Sequence, residues 1–307
     1  MSRVLRRFFR LVRRCPRCLC ILGYLAIPAV ALAPVTACVR SSTGPAPAQA
    51  TEAGSAAAAR LQGQVTVFAA ASLTDVFTEI GTALERANPG TKIVFNFAGS
   101  PALRTQLEQG ARADVFASAD EPTMDAVDRQ GLLAGPPRLF ALNRLVVIVP
   151  AQNPGAIERL QDLARPGLKL VLARSDVPVG AYARQALARM SQDPAFGTTF
   201  AERVLANVVS EEPNVRQVVT KVQLGEADAG IVYATDASAG VREAVRSIPL
   251  PDQFNVIARY PIAVVKNAPN EPGARAFVDY VLSPAGQAIL AKHGFLPPTS
   301  AASGTIP

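Results

Sequence analysis

Cysteine and histidine are nearly missing from this chain, and that sets the first limits. All four cysteines, Cys15, Cys18, Cys20 and Cys38, fall within the first 38 of 307 residues. The chain beyond Cys38 can form no internal disulfide and no thiolate metal site. His293 is the single histidine, which excludes a multi-histidine metal centre. Excess charge is absent too, once the N-terminus is set aside. The formal net charge is +7, yet seven arginines and no acid lie in residues 1–37, leaving 24 basic against 24 acidic residues in the rest. A balanced domain offers no electrostatic footprint for nucleic acid.

The arginine-rich start runs into an apolar stretch over 19–33 and then Pro34-Val-Thr-Ala-Cys38. A basic region, an apolar core and small residues before a cut predict a secretory signal over 1–37. Pro28 and Pro34 argue against a retained membrane helix. Val35-Thr-Ala-Cys38 resembles a lipoprotein signal, which implies acylation of Cys38 and a lipid anchor on the extracytoplasmic side of a membrane; simple secretion is the alternative. Arg6-Arg7-Phe-Phe-Arg10 is similar to a twin-arginine export motif, but arginines are so dense here that the export route stays open. Cys15-x-x-Cys18 sits in the discarded segment and reads as accidental. Residues 38–63, rich in Ala, Ser, Gly, Pro and Thr, have the composition of a flexible tether, and 301–307 form a tail.

The remaining chain alternates strand-like and helix-like runs. Strands are predicted over 65–70, 92–97, 114–117, 145–149, 169–173, near Val208, over 229–233 and over 256–265. Helices are predicted over 74–87, 101–109, 122–129, 157–163, 181–190, 215–224, 272–282 and 285–293. Repeated βα units imply an α/β fold with mostly parallel sheets flanked by helices. The length fits two lobes of ordinary size.

Sites in such sheets form beyond the C-terminal ends of strands, where helices begin. Four junctions qualify: Ser72, Ser100, the turn Pro178-Val-Gly-Ala-Tyr182, and Glu212-Pro-Asn-Val215. None carries a Lys or Arg at the junction itself. A serine at a helix start can cap it, and its hydroxyl can also point past the sheet edge. Neutral donors at helix N-termini can hold an anion without opposing charges. A protonated, phosphate-like anion would need an acceptor, and apart from Glu212 no carboxylate stands at these junctions.

Six segments, in order, resemble the molybdate-binding proteins that feed ABC importers. They are Val67-Phe-Ala-Ala-Ala-Ser72-Leu, Phe97-Ala-Gly-Ser100, Ala113-Asp-Val-Phe-Ala-Ser-Ala-Asp120, Val177-Pro-Val-Gly-Ala-Tyr-Ala183, Glu212-Pro-Asn-Val-Arg216 and Gly230-Ile-Val-Tyr233-Ala-Thr-Asp236. The resemblance covers about residues 65–297 and implies the two-lobed, type II periplasmic-binding-protein fold. It implies one lobe from 64–145 plus 258–300, another from 146–257, and two hinge crossovers. It further implies that molybdate, and tungstate as a close analogue, is held through its oxygens with no direct metal ligand and no cofactor. The donors it implies are the hydroxyls of Ser72, Ser100 and Tyr233 and the backbone N–H groups of Val179 and Val215. Val179 stands where the family often has a smaller residue. The implied partners are an ABC permease and, through it, an ATPase, with the binding protein a monomer and not an enzyme.

Two other functions compete. One is the same fold serving another oxyanion, such as sulfate. The other is a serine hydrolase using Ser100, His293 and an aspartate, but Phe97-Ala-Gly-Ser-Pro lacks a G-x-S-x-G elbow and the following proline removes an N–H donor. The remaining polar residues read as structural. Asp114 and Asp120 suit capping and turns, His293 the end of the last helix, Tyr182 a core position, and Asp75-x-x-x-Glu79 a solvated helix face.

Overall fold

The computed structural model describes residues 61–237 and 240–298. The expected signal, Cys38, the tether through residue 60 and the tail lie outside the described residues. The chain first lays down β1 (Gly63–Ala70), α1 (Thr74–Ala87), β2 (Thr91–Ala98), α2 (Ser100–Glu108), β3 (Val115–Ala117), α3 (Glu121–Arg129) and β4 (Arg138–Asn143). It then crosses to β5 (Leu145–Pro150), β6 (Leu170–Ala173), α4 (Pro178–Ser191), α5 (Phe200–Ala206), β7 (Val208–Glu212), α6 (Val215–Gln223), β8 (Ala229–Tyr233) and β9 (Val245–Pro249). It returns through β10 (Ala258–Val264), α7 (Glu271–Leu282) and α8 (Pro284–Lys292).

Two five-stranded sheets result, ordered β2-β1-β3-β10-β4 and β7-β6-β8-β5-β9. This is the two-lobed α/β architecture that the resemblance implies. In each sheet the three βα strands are parallel, whereas the strands that follow or precede a crossing, β5 and β10, run antiparallel to both neighbours. Parallelism is thus confined to the βα units, because a strand arriving from the other lobe needs no right-handed crossover helix.

Amphipathic helices place the core. α1 buries Val76, Phe77, Ile80 and Leu84 along one stripe, at the i, i+3, i+4 spacing of a helix face. Phe77 meets Phe95, Phe140 and Phe277 with ring centroids 5.6–6.2 Å apart. In the second lobe α6 presents Val215, Val218, Val219 and Val222 to a sheet whose central strands are buried. Asp114 accepts hydrogen bonds from the N–H groups of Thr66 (2.7 Å) and Asn270 (2.6 Å), and Asp120 caps α3 through Thr123 N–H at 3.3 Å.

Several boundaries differ from expectation. Leu61 is buried, its carbonyl accepts from the Thr91 hydroxyl, and β1 begins at Gly63, so the fold starts inside the stretch assigned to the tether. Leu145 pairs with Tyr233 in the second sheet rather than ending the first lobe. Two short strands, β4 and β9, and α5 carry too few periodic residues to stand out in the sequence. The helix expected over 157–163 is only a 3-10 segment, Leu160–Ala164, preceded by left-handed Ala156 at φ 46° and followed by Pro166.

Candidate functional site

The C-terminal ends of β1, β2, β6 and β8 point toward one crevice between the lobes. Ser72 sits in a 3-10 turn, Ala71–Leu73, directly after β1. Ser100 opens α2 behind Gly99, which occupies the capping position without any side-chain bond. Neither hydroxyl therefore caps a helix. Ser72 Oγ lies 3.0 Å from the Tyr260 hydroxyl, and Ser100 Oγ accepts from the Ala119 N–H at 3.1 Å. Each oxygen keeps further hydrogen-bonding capacity beyond that contact.

The second lobe contributes helix starts. α4 begins with Pro178, which has no N–H, so Val179 and Gly180 supply its first free donors. Gly180 is obligatory for this packing, since a Cβ there would overlap the carbonyl oxygens of Arg174 and Ala173. In α6 the Asn214 side chain accepts from Gln217 N–H at 3.2 Å. That cap satisfies the third position and leaves the N–H groups of Val215 and Arg216 without intrahelical acceptors.

Tyr233 closes the arrangement from the end of β8. It is 1 % exposed, and its hydroxyl has no hydrogen-bond partner among the described residues. The Tyr260 ring lies 5.7 Å away, edge-on, with its hydroxyl 3.0 Å from Ser72 Oγ and accepting from the Asn143 amide at 3.5 Å. Burial first, and then the neighbouring Tyr260, push the Tyr233 phenol well above its ordinary value. It remains a neutral O–H donor at any physiological pH. An unpaired buried hydroxyl is costly, so this one marks a place built to meet an acceptor.

All five residues singled out in the sequence, Ser72, Ser100, Val179, Val215 and Tyr233, line a single small cavity together with Gly99, Ala119 and Asn214. No Lys, Arg, Asp or Glu lines it. Its donors are hydroxyls and helix N-termini, whose partial positive charge favours an anion. Among the described residues no cluster of His, Cys, Asp or Glu could hold a bare cation. A small anion with several oxygen acceptors fits the donor set.

The structure leaves His293 at the end of α8, where the sequence puts it, and gives it and two acids further contacts. His293 Nε2 contacts Glu79 Oε2 at 2.8 Å, while Ser100 is engaged with a backbone N–H, so no Ser–His pair is assembled. Asp75 and Glu79 are not merely solvated: Asp75 accepts from Arg216 across the cleft at 2.6 Å, and Glu79 accepts from Lys292 at 2.7 Å. Asp75, Asp236 and Tyr260 do not stand out in the sequence as site neighbours, because their contacts join positions far apart in the chain.

Residues 65–296 match the bacterial extracellular solute-binding protein family. The molybdate-binding protein ModA of Mycobacterium tuberculosis is 41% identical over 272 residues, covering 89% of this chain and 96% of that protein. The Escherichia coli protein of the same name is 34% identical over 243 residues, covering 76% and 89%. Among solved structures, the periplasmic molybdate-binding protein of Azotobacter vinelandii superposes with a TM-score of 0.66 at 21% identity, covering 76% of this chain and 99% of that one, which establishes the shared fold. The matched stretch contains every strand end and helix start that lines the cavity, and the chain belongs to the molybdate-binding proteins within the bacterial extracellular solute-binding family.

Proposed function

We propose that this protein is the extracytoplasmic receptor of an ABC importer, capturing molybdate, and tungstate as its near-equal in size and charge, between its lobes. The observation that carries the reading is the Tyr233 hydroxyl, buried and unpaired in a cavity otherwise lined by neutral donors. In this reading Ser72, Ser100 and Tyr233 donate O–H, and Val179 and Val215 donate N–H, to the four oxygens of the ion. No protein atom binds the metal directly. Hydrogen bonds to a charged acceptor contribute roughly 1.5–3 kcal/mol each, so a handful suffices for micromolar affinity, about −8 kcal/mol. The absence of a carboxylate from the cavity wall disfavours an oxyanion that carries a proton.

The occupied, closed protein would then dock on a membrane permease, with the coupled ATPase driving uptake. Acylation of Cys38 would keep the receptor at the membrane as a monomer. Calorimetric titration with molybdate, tungstate, sulfate and phosphate tests the assignment. Tight binding of the first two is expected, with sulfate and phosphate far weaker. Heat from sulfate with none from molybdate would overturn it.

A further inference from the structure

Arg216 follows Val215 at the start of α6, but its side chain leaves its own lobe. Its Nε donates to the Ala71 carbonyl at 3.3 Å, and its Nη2 donates to Asp75 Oδ2 at 2.6 Å. Both acceptors belong to the junction that carries Ser72: Ala71 precedes it and Asp75 opens α1 three positions later. Behind Arg216 lies Asp236, in the 3-10 segment Ala234–Ala237 that follows β8. Its Oδ1 stands 3.5 Å from Arg216 Nε and its side chain is fully buried, with the Tyr233 backbone N–H beside it. The other ionisable groups facing this carboxyl are Asp75 from α1, Tyr233 from β8 and Tyr260 from β10.

We propose that Arg216 is a positioning residue for ligand capture: seated in its own lobe against Asp236, it bridges to Ala71 and Asp75 and fastens the cleft shut over the bound oxyanion. Chain connectivity gives the coupling. Any motion that brings Ser72 and Val215 onto one ion also brings their neighbours Ala71 and Arg216 within hydrogen-bond reach. Asp236 is too deep to cross the cleft itself, but it keeps the guanidinium oriented when the lobes part. The clasp lies beside the ion and leaves its donor shell neutral. This inference rests on the proposed function and deepens it.

The latch predicts an effect on escape rather than on entry. Dissociation of radiolabelled molybdate, chased with unlabelled molybdate, should be compared in the wild type, Arg216→Gln, Asp75→Asn and the double variant. Each single change should speed dissociation about five- to tenfold and leave association within about twofold, because affinity changes at one interface fall mainly on the off-rate. The double variant should be no faster than Arg216→Gln alone, the non-additivity of a direct pair. Unchanged off-rates in both single variants, or effects that multiply in the double, would overturn the latch while leaving molybdate binding itself in place. If the wild type binds no molybdate, the functional reading and the latch fall together. Should Arg216→Gln fail to fold, Asp75→Asn decides alone, since Asp75 is half exposed on the opposite lobe.

Discussion

The side-chain amide of Asn255 holds both polar atoms of the Leu145 backbone, accepting from its N–H at 2.9 Å and donating to its carbonyl at 3.0 Å. Leu145 is the first residue after the chain's outward crossing, and Asn255 lies just before β10, on the way back. The same amide also donates to the Leu250 carbonyl at 3.3 Å, and Arg144 pairs with Asp252 on the surface. The two crossovers are therefore laced side by side. A motion that separates the lobes must turn about this point, because these contacts join the crossovers to each other rather than one lobe to the other.

Asn255→Ala should destabilise the ligand-free protein by about 1–3 kcal/mol, the usual cost of leaving buried backbone groups unpaired. Urea unfolding read by circular dichroism gives the number. A loss below about 0.5 kcal/mol, the ordinary range of a neutral surface change, would mean that water replaces the amide and that the hinge does not depend on it.

Two glycines should separate closure from folding. A Cβ on Gly99 would overlap the carbonyl oxygen of Pro213, which belongs to the other lobe. Its φ of −62° suits any residue, so the clash exists only when the cleft is shut. Gly99→Ala should cut molybdate affinity about tenfold or more, equivalent to at least about 1.4 kcal/mol, with the ligand-free melting temperature nearly unchanged. Gly180→Ala should lower that temperature itself, because its clash is with Ala173 and Arg174 in the same lobe. Equal loss of stability in both variants would contradict the division.

What could be read in the sequence was local. Ser72, Ser100, Val179, Val215 and Tyr233 each end a strand or open a helix, and chain order alone places such points at one sheet edge. The parallel βα units were legible for the same reason. Relations across the cleft were not. Asp75 and Arg216 are 141 positions apart, and helix periodicity assigns Asp75 to an outer face, which is correct until the second lobe arrives. Asp236 sat within a recognised segment, but nothing in its neighbours disclosed that its carboxyl is buried. β9, with mostly exposed residues at the edge of its sheet, has no hydrophobic alternation to find.

Tyr233→Phe should divide stability from binding. The hydroxyl has no geometric hydrogen-bond partner among the described residues, so its removal should leave the melting temperature level or slightly higher. Molybdate affinity should fall about tenfold to a hundredfold, matching one lost hydrogen bond to a charged acceptor. Ser100→Ala should also weaken binding, but with a small cost in stability, because it strands the Ala119 N–H that Ser100 now satisfies. Calorimetry beside thermal melting distinguishes the two. Wild-type affinity in both variants would remove these hydroxyls from the site.

Asp236 makes stability depend on pH in an unusual direction. Burial raises its carboxyl from 3.8 to about 7, against the opposing pull of Arg216. Below its unfolded value the group is protonated in both states and contributes no pH dependence. Between about 4 and 7 the folded protein binds a proton that the unfolded chain does not, so stability from this group is lost as pH rises through that window. Above the folded value both states are ionised and the penalty is constant. Asparagine has no proton to lose. The advantage of Asp236→Asn over wild type should therefore be small near pH 4.5, grow toward pH 7 and level off by pH 8. Other titrating groups, including the buried Asp120, are common to both proteins and cancel in the difference. Unfolding free energies at the three pH values provide the test, and a gap that stays constant across them would show that Asp236 keeps its charge throughout, with Arg216 compensating for its burial.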